Sequence, residues 1–147
     1  MKNFIVFFVL LVFSCTSSPH IKYPDLQVGL QGMLKNNSDI YIIFNNKNNF
    51  SVEIPKPCMF NTYIGIRKDG KELTTKIRVK ADPDCANPAS VLNINGTLEF
   101  KFPLNIKELY DFKNGEKYVM NIEYYISSNH EFTQKIISND YTFIWQD

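Results

Sequence analysis

Apolar and polar residues alternate one by one along most of this chain. In TLEFKFPL (97–104), Leu98, Phe100, Phe102 and Leu104 alternate with Glu99, Lys101 and Pro103, an order that only a strand with one buried face requires. FSVEI (50–54) repeats it, with Phe50, Val52 and Ile54 on one side and Ser51 and Glu53 on the other. KYVMNIEYYI (117–126) sets Tyr118, Met120, Ile122 and Tyr124 against Val119, Asn121, Glu123 and Tyr125. IYIIF (40–44) is apolar on both faces, as expected of a central strand. In YIGIRKDGKELT (63–74), Asp69-Gly70 between two strand-like arms signals a type I′ hairpin turn and sends Ile64 and Ile66 to the core. Residues 76–80 (KIRVK) are a candidate extension of the second arm. At the end of the chain, EFTQKII, the polar SND and YTFIWQ read as a closing hairpin with Tyr141, Phe143 and Trp145 in register. Those three are expected in the core rather than on a contact edge.

Strand signals near 26–34, 40–45, 50–55, 62–68, 71–80, 91–104, 117–127 and 131–146 make seven to nine strands, with no alternation of strands and helices. That spacing of turns predicts an all-β, antiparallel sandwich. Only NIKELYDF (105–112) has the look of a short helical turn. Pro55, Pro57, Pro83 and Pro88 cluster around Cys58 and Cys85 and mark backbone outside the sheets. One domain, 26–147, accounts for the whole pattern, without internal repeats.

The period of two begins only after residue 25. Lys2 is followed by ten apolar residues, FIVFFVLLVF (4–13), which as a helix would span about 15 Å, half of a roughly 30 Å bilayer core. A positive start, a short apolar core and a small residue describe a secretory signal rather than a membrane span. Val12, Phe13, Ser14 and Cys15 resemble the lipobox that closes a bacterial lipoprotein signal peptide. The resemblance implies cleavage before Cys15, with diacylglycerol on its thiol and a further acyl chain on the new amino terminus. Two or more chains give the stable anchoring that one does not. Residues 1–14 are then the signal peptide, and 15–25 the lipidated cysteine and a tether. The residue after the cysteine is Thr16, not an aspartate of the inner-membrane retention kind, and no acidic surface-export cluster follows. The implied location is the outer membrane, facing the periplasm.

Without Lys2, basic and acidic residues are equal in number at 15 each. A neutral domain with interspersed charges has no electrostatic footprint for nucleic acid. The chain has three cysteines; with Cys15 assigned to lipid, Cys58 and Cys85 remain in an oxidising compartment, where a disulfide is the expectation and two free buried thiols the alternative.

Immunoglobulin-like domains supply a second resemblance. IKELYDFKNGEKYVM (106–120) looks like the approach to their strand F, where a turn with glycine precedes the tyrosine-corner residue. Tyr118 matches that tyrosine, Gly115 lies one residue further from it than usual, and Met120 stands where antibody domains place a cysteine. The layout of residues 38–125 is similar to that of the small bacterial BsuPI-type proteinase-inhibitor domains, without an inhibitory motif.

Residues for catalysis are not evident. His20 lies in the tether and His130 in a polar turn, neither with a partner at ligand spacing, so both read as solvated. Asp82, Asp84 and Asn87 in ADPDCANP resemble fragments of a calcium loop, but the glycine and the ligand count are missing. They are expected to bond local backbone beside Cys85. Glu53, Glu99, Glu123 and Glu131 alternate with inward residues and read as solvated positions. No glycine-rich phosphate loop occurs. The expectation is a non-enzymatic protein without cofactor or metal, tethered to a membrane through Cys15. Its partner is another protein, as for a hydrolase inhibitor or toxin-immunity protein; the alternative is a structural subunit of an envelope complex. Tyr41 and Tyr125 are candidate exposed contacts.

Overall fold

Ten antiparallel strands form among the described residues, which in the computed structural model are 26–31, 38–78, 80, 82–128 and 131–146. They are β1 (Leu26–Gln31), β2 (Asp39–Asn46), β3 (Val52–Ile54), β4 (Thr62–Lys68), β5 (Lys71–Glu72), β6 (Ser90–Leu92), β7 (Thr97–Asn105), β8 (Lys117–Ser128), β9 (Glu131–Ile137) and β10 (Tyr141–Ile144), with one short helix, α1 (Ile106–Leu109). One layer has the order β1-β2-β7 and the other β5-β4-β8, with β9 and β10 along the far edge of β8. β3 and β6 pair as a separate two-stranded ribbon. This is the strand order of an immunoglobulin-like β-sandwich.

Alternation in the sequence becomes alternation in burial. Ile40, Ile42 and Phe44 on β2 are fully buried, as are Met120, Ile122 and Tyr124 on β8. The layers meet where the Phe44 ring packs edge-on against Tyr124, with centroids 4.7 Å apart. The Tyr124 hydroxyl crosses to the carbonyl of Pro55 at 2.6 Å, so even this buried phenol is paired. On β7 the inward residues Leu98, Phe100 and Leu104 are only half-buried, because β7 is an edge strand. Pro103 falls where the β2–β7 register slips between Asp39 and Tyr41, an interval in which its missing N–H breaks no ladder bond. Asp69 and Gly70 both adopt positive φ (50° and 76°) at the β4–β5 turn, as the sequence required. A capping box of Asn105 and Glu108 starts α1.

Three expectations need correction. The closing hairpin is not one: β9 and β10 lie end to end along the same edge of β8, with Ser138 opposite Ile122 and Tyr141 opposite Met120. Asn139 and Asp140 therefore face the single residue Asn121, the two-against-one count of a β-bulge. Ser138 explains it: the Ile122 N–H donates to the Ser138 Oγ at 2.8 Å, and that hydroxyl donates to the Asn139 carbonyl at 3.0 Å. Phe50 does not join the strand after it; it is 40 % exposed in the loop before β3. The second hairpin arm stops at Glu72, and Lys76 turns to α1, its N–H on the Leu109 carbonyl and its Nζ on the Lys107 carbonyl. Trp145, by contrast, is in the core, stacked on Phe112 at 4.5 Å, while Tyr141 is half-buried.

Candidate functional site

Cys15, His20 and His130 lie outside the described residues. Cys58 and Cys85 stand at bonding distance, with Cα atoms 6.0 Å apart. On the chain-entropy view, closing a loop of this length stabilises the fold by roughly 3–4 kcal/mol. The buried Asn61 holds the first of these loops. Its Oδ1 accepts from the Cys58 N–H and the Thr62 hydroxyl, both at 2.9 Å, and its Nδ2 donates to the Lys56 carbonyl at 3.1 Å. In the second loop Asp82 Oδ1 accepts from the Asp84 N–H at 3.0 Å, capping a 3-10 turn over Pro83–Ala86. The Asn87 N–H closes that turn on the Asp84 carbonyl, and the Lys56 N–H reaches the Ala86 carbonyl. The Asp82 carboxylate thus serves backbone, while Asp84 and Asn87 join the turn through their own main chain. Among the described residues no group of three or more His, Cys, Asp or Glu side chains is placed to hold a metal ion.

Tyr118 points into the turn ahead of β8. Its hydroxyl accepts from the Lys113 N–H at 3.0 Å and donates to Glu116 at 2.9 Å. Glu116 also pairs with Lys68 at 2.5 Å. The Lys68 ammonium first, and the Tyr118 hydroxyl second, hold the Glu116 carboxyl below its ordinary pKa. Gly115 and Glu116 bond the backbone of Trp145, so this corner pins the end of the described chain.

The outer face of the β4–β8–β9/β10 sheet combines exposure with order. Tyr63, Ile137 and Ile144 are 41, 54 and 55 % exposed. Tyr63, Glu123 and Ile137 form one cross-strand row, Arg67, Val119 and Thr142 another, and Ile144 lies opposite Lys117. Polar side chains are locked between them. Glu123 takes Lys135 at 2.7 Å and the Tyr125 hydroxyl at 2.7 Å, and these two partners, Lys135 the larger, depress its pKa. Arg67 reaches over β8 to Asp140 of the bulge at 2.5 Å. The Tyr63 hydroxyl donates to Glu72, and partial burial followed by that bond raises the phenol's pKa. At the centre a Cβ on Gly65 would come within 2.6 Å of Asn121 Oδ1, so the glycine lets the asparagine lie flat. Tyr125 is half-buried rather than exposed, and Tyr41 is half-buried on the other sheet. Glu53 and Glu99 are exposed; the Glu131 side chain is outside the described residues.

A second feature was not expected from the asparagine-rich loops. Asn46, the last residue of β2, is buried and inward-facing. Its Nδ2 donates to the carbonyls of Phe50, Leu92 and Asn93 at 2.8, 3.2 and 3.1 Å, and its Oδ1 accepts from the Asn48 N–H and side-chain amide at 2.9 and 2.8 Å. One side chain thus ties together the loops 47–51 and 93–96. The second loop is tight: Asn95 has φ 53°, and a Cβ on Gly96 would meet the Asn93 carbonyl at 2.9 Å. Beside the knot lies a polar groove of about 430 Å³ lined by Asn45, Asn46, Lys47, Asn95, Gly96 and Thr97.

The sequence matches no known protein-family model, and no curated protein is similar to it in sequence.

Proposed function

We propose that this chain is a lipid-anchored bacterial envelope protein, held through Cys15 to the periplasm-facing leaflet of the outer membrane. Its sandwich binds a protein partner through the outer face of the β4–β8–β9/β10 sheet. The observation that carries this reading is the exposure of Tyr63, Ile137 and Ile144 together on one face. Apolar and tyrosine anchors among polar groups are what protein contacts use. The polar groups there are already ordered by Tyr125, Lys135 and Arg67, which lowers the entropic cost of association. Charges set among the apolar residues favour a separable partner, of the kind an inhibitor or immunity protein restrains. A permanent assembly subunit would contact its neighbours through a more apolar face. The work proposed for this chain is binding, and no residue is assigned a reaction.

Two experiments test the reading. Cys15→Ser abolishes acylation, so the variant leaves the membrane fraction and its intact mass loses the lipid; a variant that still partitions with membranes refutes the anchor. The acyl-free domain, cross-linked in envelope extract, captures a defined protein that is lost with Ile137→Asp and Ile144→Asp but kept with Glu99→Lys on the opposite sheet. Equal capture by all three proteins, or only abundant outer-membrane material, removes the partner face.

A further inference from the structure

We infer that the two loops tied by Asn46 form a second membrane contact, docking on the phospholipid leaflet to which Cys15 is anchored. The inference rests on that anchoring and adds an orientation to it.

The tether enters the domain beside these loops. Leu26, the first residue of β1, pairs with Asn46, so residues 16–25 join the sandwich at the end that carries the loops 47–51 and 93–96. Ten residues reach at most about 35 Å fully extended. The opposite end is a strand length further, about 27 Å for eight residues. Phe44, near the end of β2, packs on Tyr124 toward the end of β8. Trp145 bonds Gly115 and Glu116, which precede β8, and so marks that far end. The Asn46 end thus meets the lipid on a short tether, whereas seating the opposite end would need the tether drawn out to about 27 of its roughly 35 Å.

What those two loops present suits a phospholipid interface. Phe50 and Ile94, one on each loop, are 40 and 51 % exposed. The loops are held together beneath these tips by Asn46 and by the Ser51 hydroxyl on Asn93 Oδ1 at 3.4 Å. Residues 45–51 and 93–97 contain no acidic side chain, and Lys47 is their one charge. An aromatic and an aliphatic tip suit the acyl boundary, while a lysine and asparagine carboxamides suit phosphate and glycerol oxygens. The groove lined by Asn45, Lys47, Asn95 and Thr97 then lies at headgroup depth. Seated this way, the sandwich stands on its loops and the β4–β8–β9/β10 face points sideways, open to a protein.

The test uses the mature lipidated chain reconstituted into vesicles of phosphatidylethanolamine and phosphatidylglycerol, with Phe50→Trp or Ile94→Trp as reporter. The wild-type Trp145, buried on Phe112, serves as the baseline. Expected are a blue shift of the added indole's emission in vesicles and loss of most of that emission when nitroxide-labelled phospholipid is included, with Trp145 unchanged. If the protein floats with the vesicles but both added indoles stay water-exposed and unquenched, the docking is refuted while the anchor stands, and the tips are open to a protein partner. If the wild-type chain does not float, anchor and docking fall together.

Discussion

Replacing Asn46 by alanine is the sharpest test of how the fold holds its loop end. The substitution deletes five hydrogen bonds. The carbonyls of Phe50 and Asn93 are part-buried and rehydrate at small cost. The Leu92 carbonyl, the Asn48 N–H and the Asn48 amide lie in buried contacts. A polar group stranded in this way costs about 1 kcal/mol or somewhat more, so the total comes to about 4 kcal/mol. That is a large part of the roughly 5–15 kcal/mol that holds a domain together. With a urea slope of about 2 kcal/mol/M, the unfolding midpoint falls by about 2 M, which Trp145 fluorescence reads directly. Asn48→Ala removes only one side-chain contact and should cost about 1 kcal/mol.

Asn46→Asp supplies a second arm because it keeps the shape. It points an oxygen instead of an N–H₂ at three carbonyls, in a site 1 % exposed. Burial and those carbonyls disfavour the charged form, so the folded-state pKa of the new carboxyl rises above its unfolded value near ~3.9. The folded state then binds the proton more tightly. Relative to wild type at the same pH, the variant is most stable below about pH 4, where the carboxyl is protonated and can donate. It loses that stability as pH rises through the raised value. An alanine cost below about 1 kcal/mol, or an aspartate cost that is equal at pH 4 and pH 7, would refute the assignment of Asn46 as the knot.

Other consequences are more local. Reducing the Cys58–Cys85 pair, or replacing both residues by alanine, should lower stability by roughly 3–4 kcal/mol in urea unfolding; a loss under about 1 kcal/mol means that the two loops are held by Asn61 and the Lys56–Ala86 bond instead. Tyr118→Phe leaves the Lys113 N–H without its acceptor and should cost about 1 kcal/mol, with far-ultraviolet circular dichroism unchanged because the ring stays packed on Phe112 and Phe143. The depressed Glu116 pKa means a contribution present above the ordinary carboxylate range and lost as pH falls through the lower folded value. Lys68→Met should raise the carbon-13 NMR titration of Glu116 more than Tyr118→Phe does, and the reverse order contradicts the ranking of the two partners. Ser138→Ala strips the Ile122 N–H of its acceptor and should cost about 1–2 kcal/mol, with faster amide exchange at Ile122; unchanged exchange there would mean that the bulge is held by other contacts.

Where the alternation was regular, the sequence was a sufficient guide, because burial of one sheet face leaves a period of two that no helix shares. It led to β7 and β8 and, with the Asp69-Gly70 turn, to β4, while β2 showed as a run apolar on both faces. It failed at residues 138–140 because serine, asparagine and aspartate satisfy backbone by the same side-chain bonds in a turn and in a bulge. A signal was nonetheless present. The inward positions are even around β9 (Ile136, Ser138) and odd around β10 (Phe143, Trp145), and a single inserted residue produces that change of parity. Asn46 left the same kind of mark. It continues the inward series Ile40, Ile42, Phe44, and a carboxamide at an inward position requires buried partners. Among so many loop asparagines only this parity sets it apart, and its bond to the Phe50 carbonyl is the reason Phe50 is held out of β3.

The outer face was legible only in part, for a reason of topology. Alternation identifies Tyr63, Val119 and Glu123 as outward, but not whether a neighbouring strand shields them. That depends on which strand pairs with which, information carried by contacts far apart in the chain. Ile137 and Ile144 are exposed because β9 and β10 share the outermost line of the sheet, beyond β8. Had 131–146 folded as the hairpin its turn chemistry suggested, β10 would have paired with β9 as well, and Ile144 would not lie opposite Lys117. The bulge at Asn139 and Asp140 thus aligns the two isoleucines on one edge and brings Asp140 within reach of Arg67.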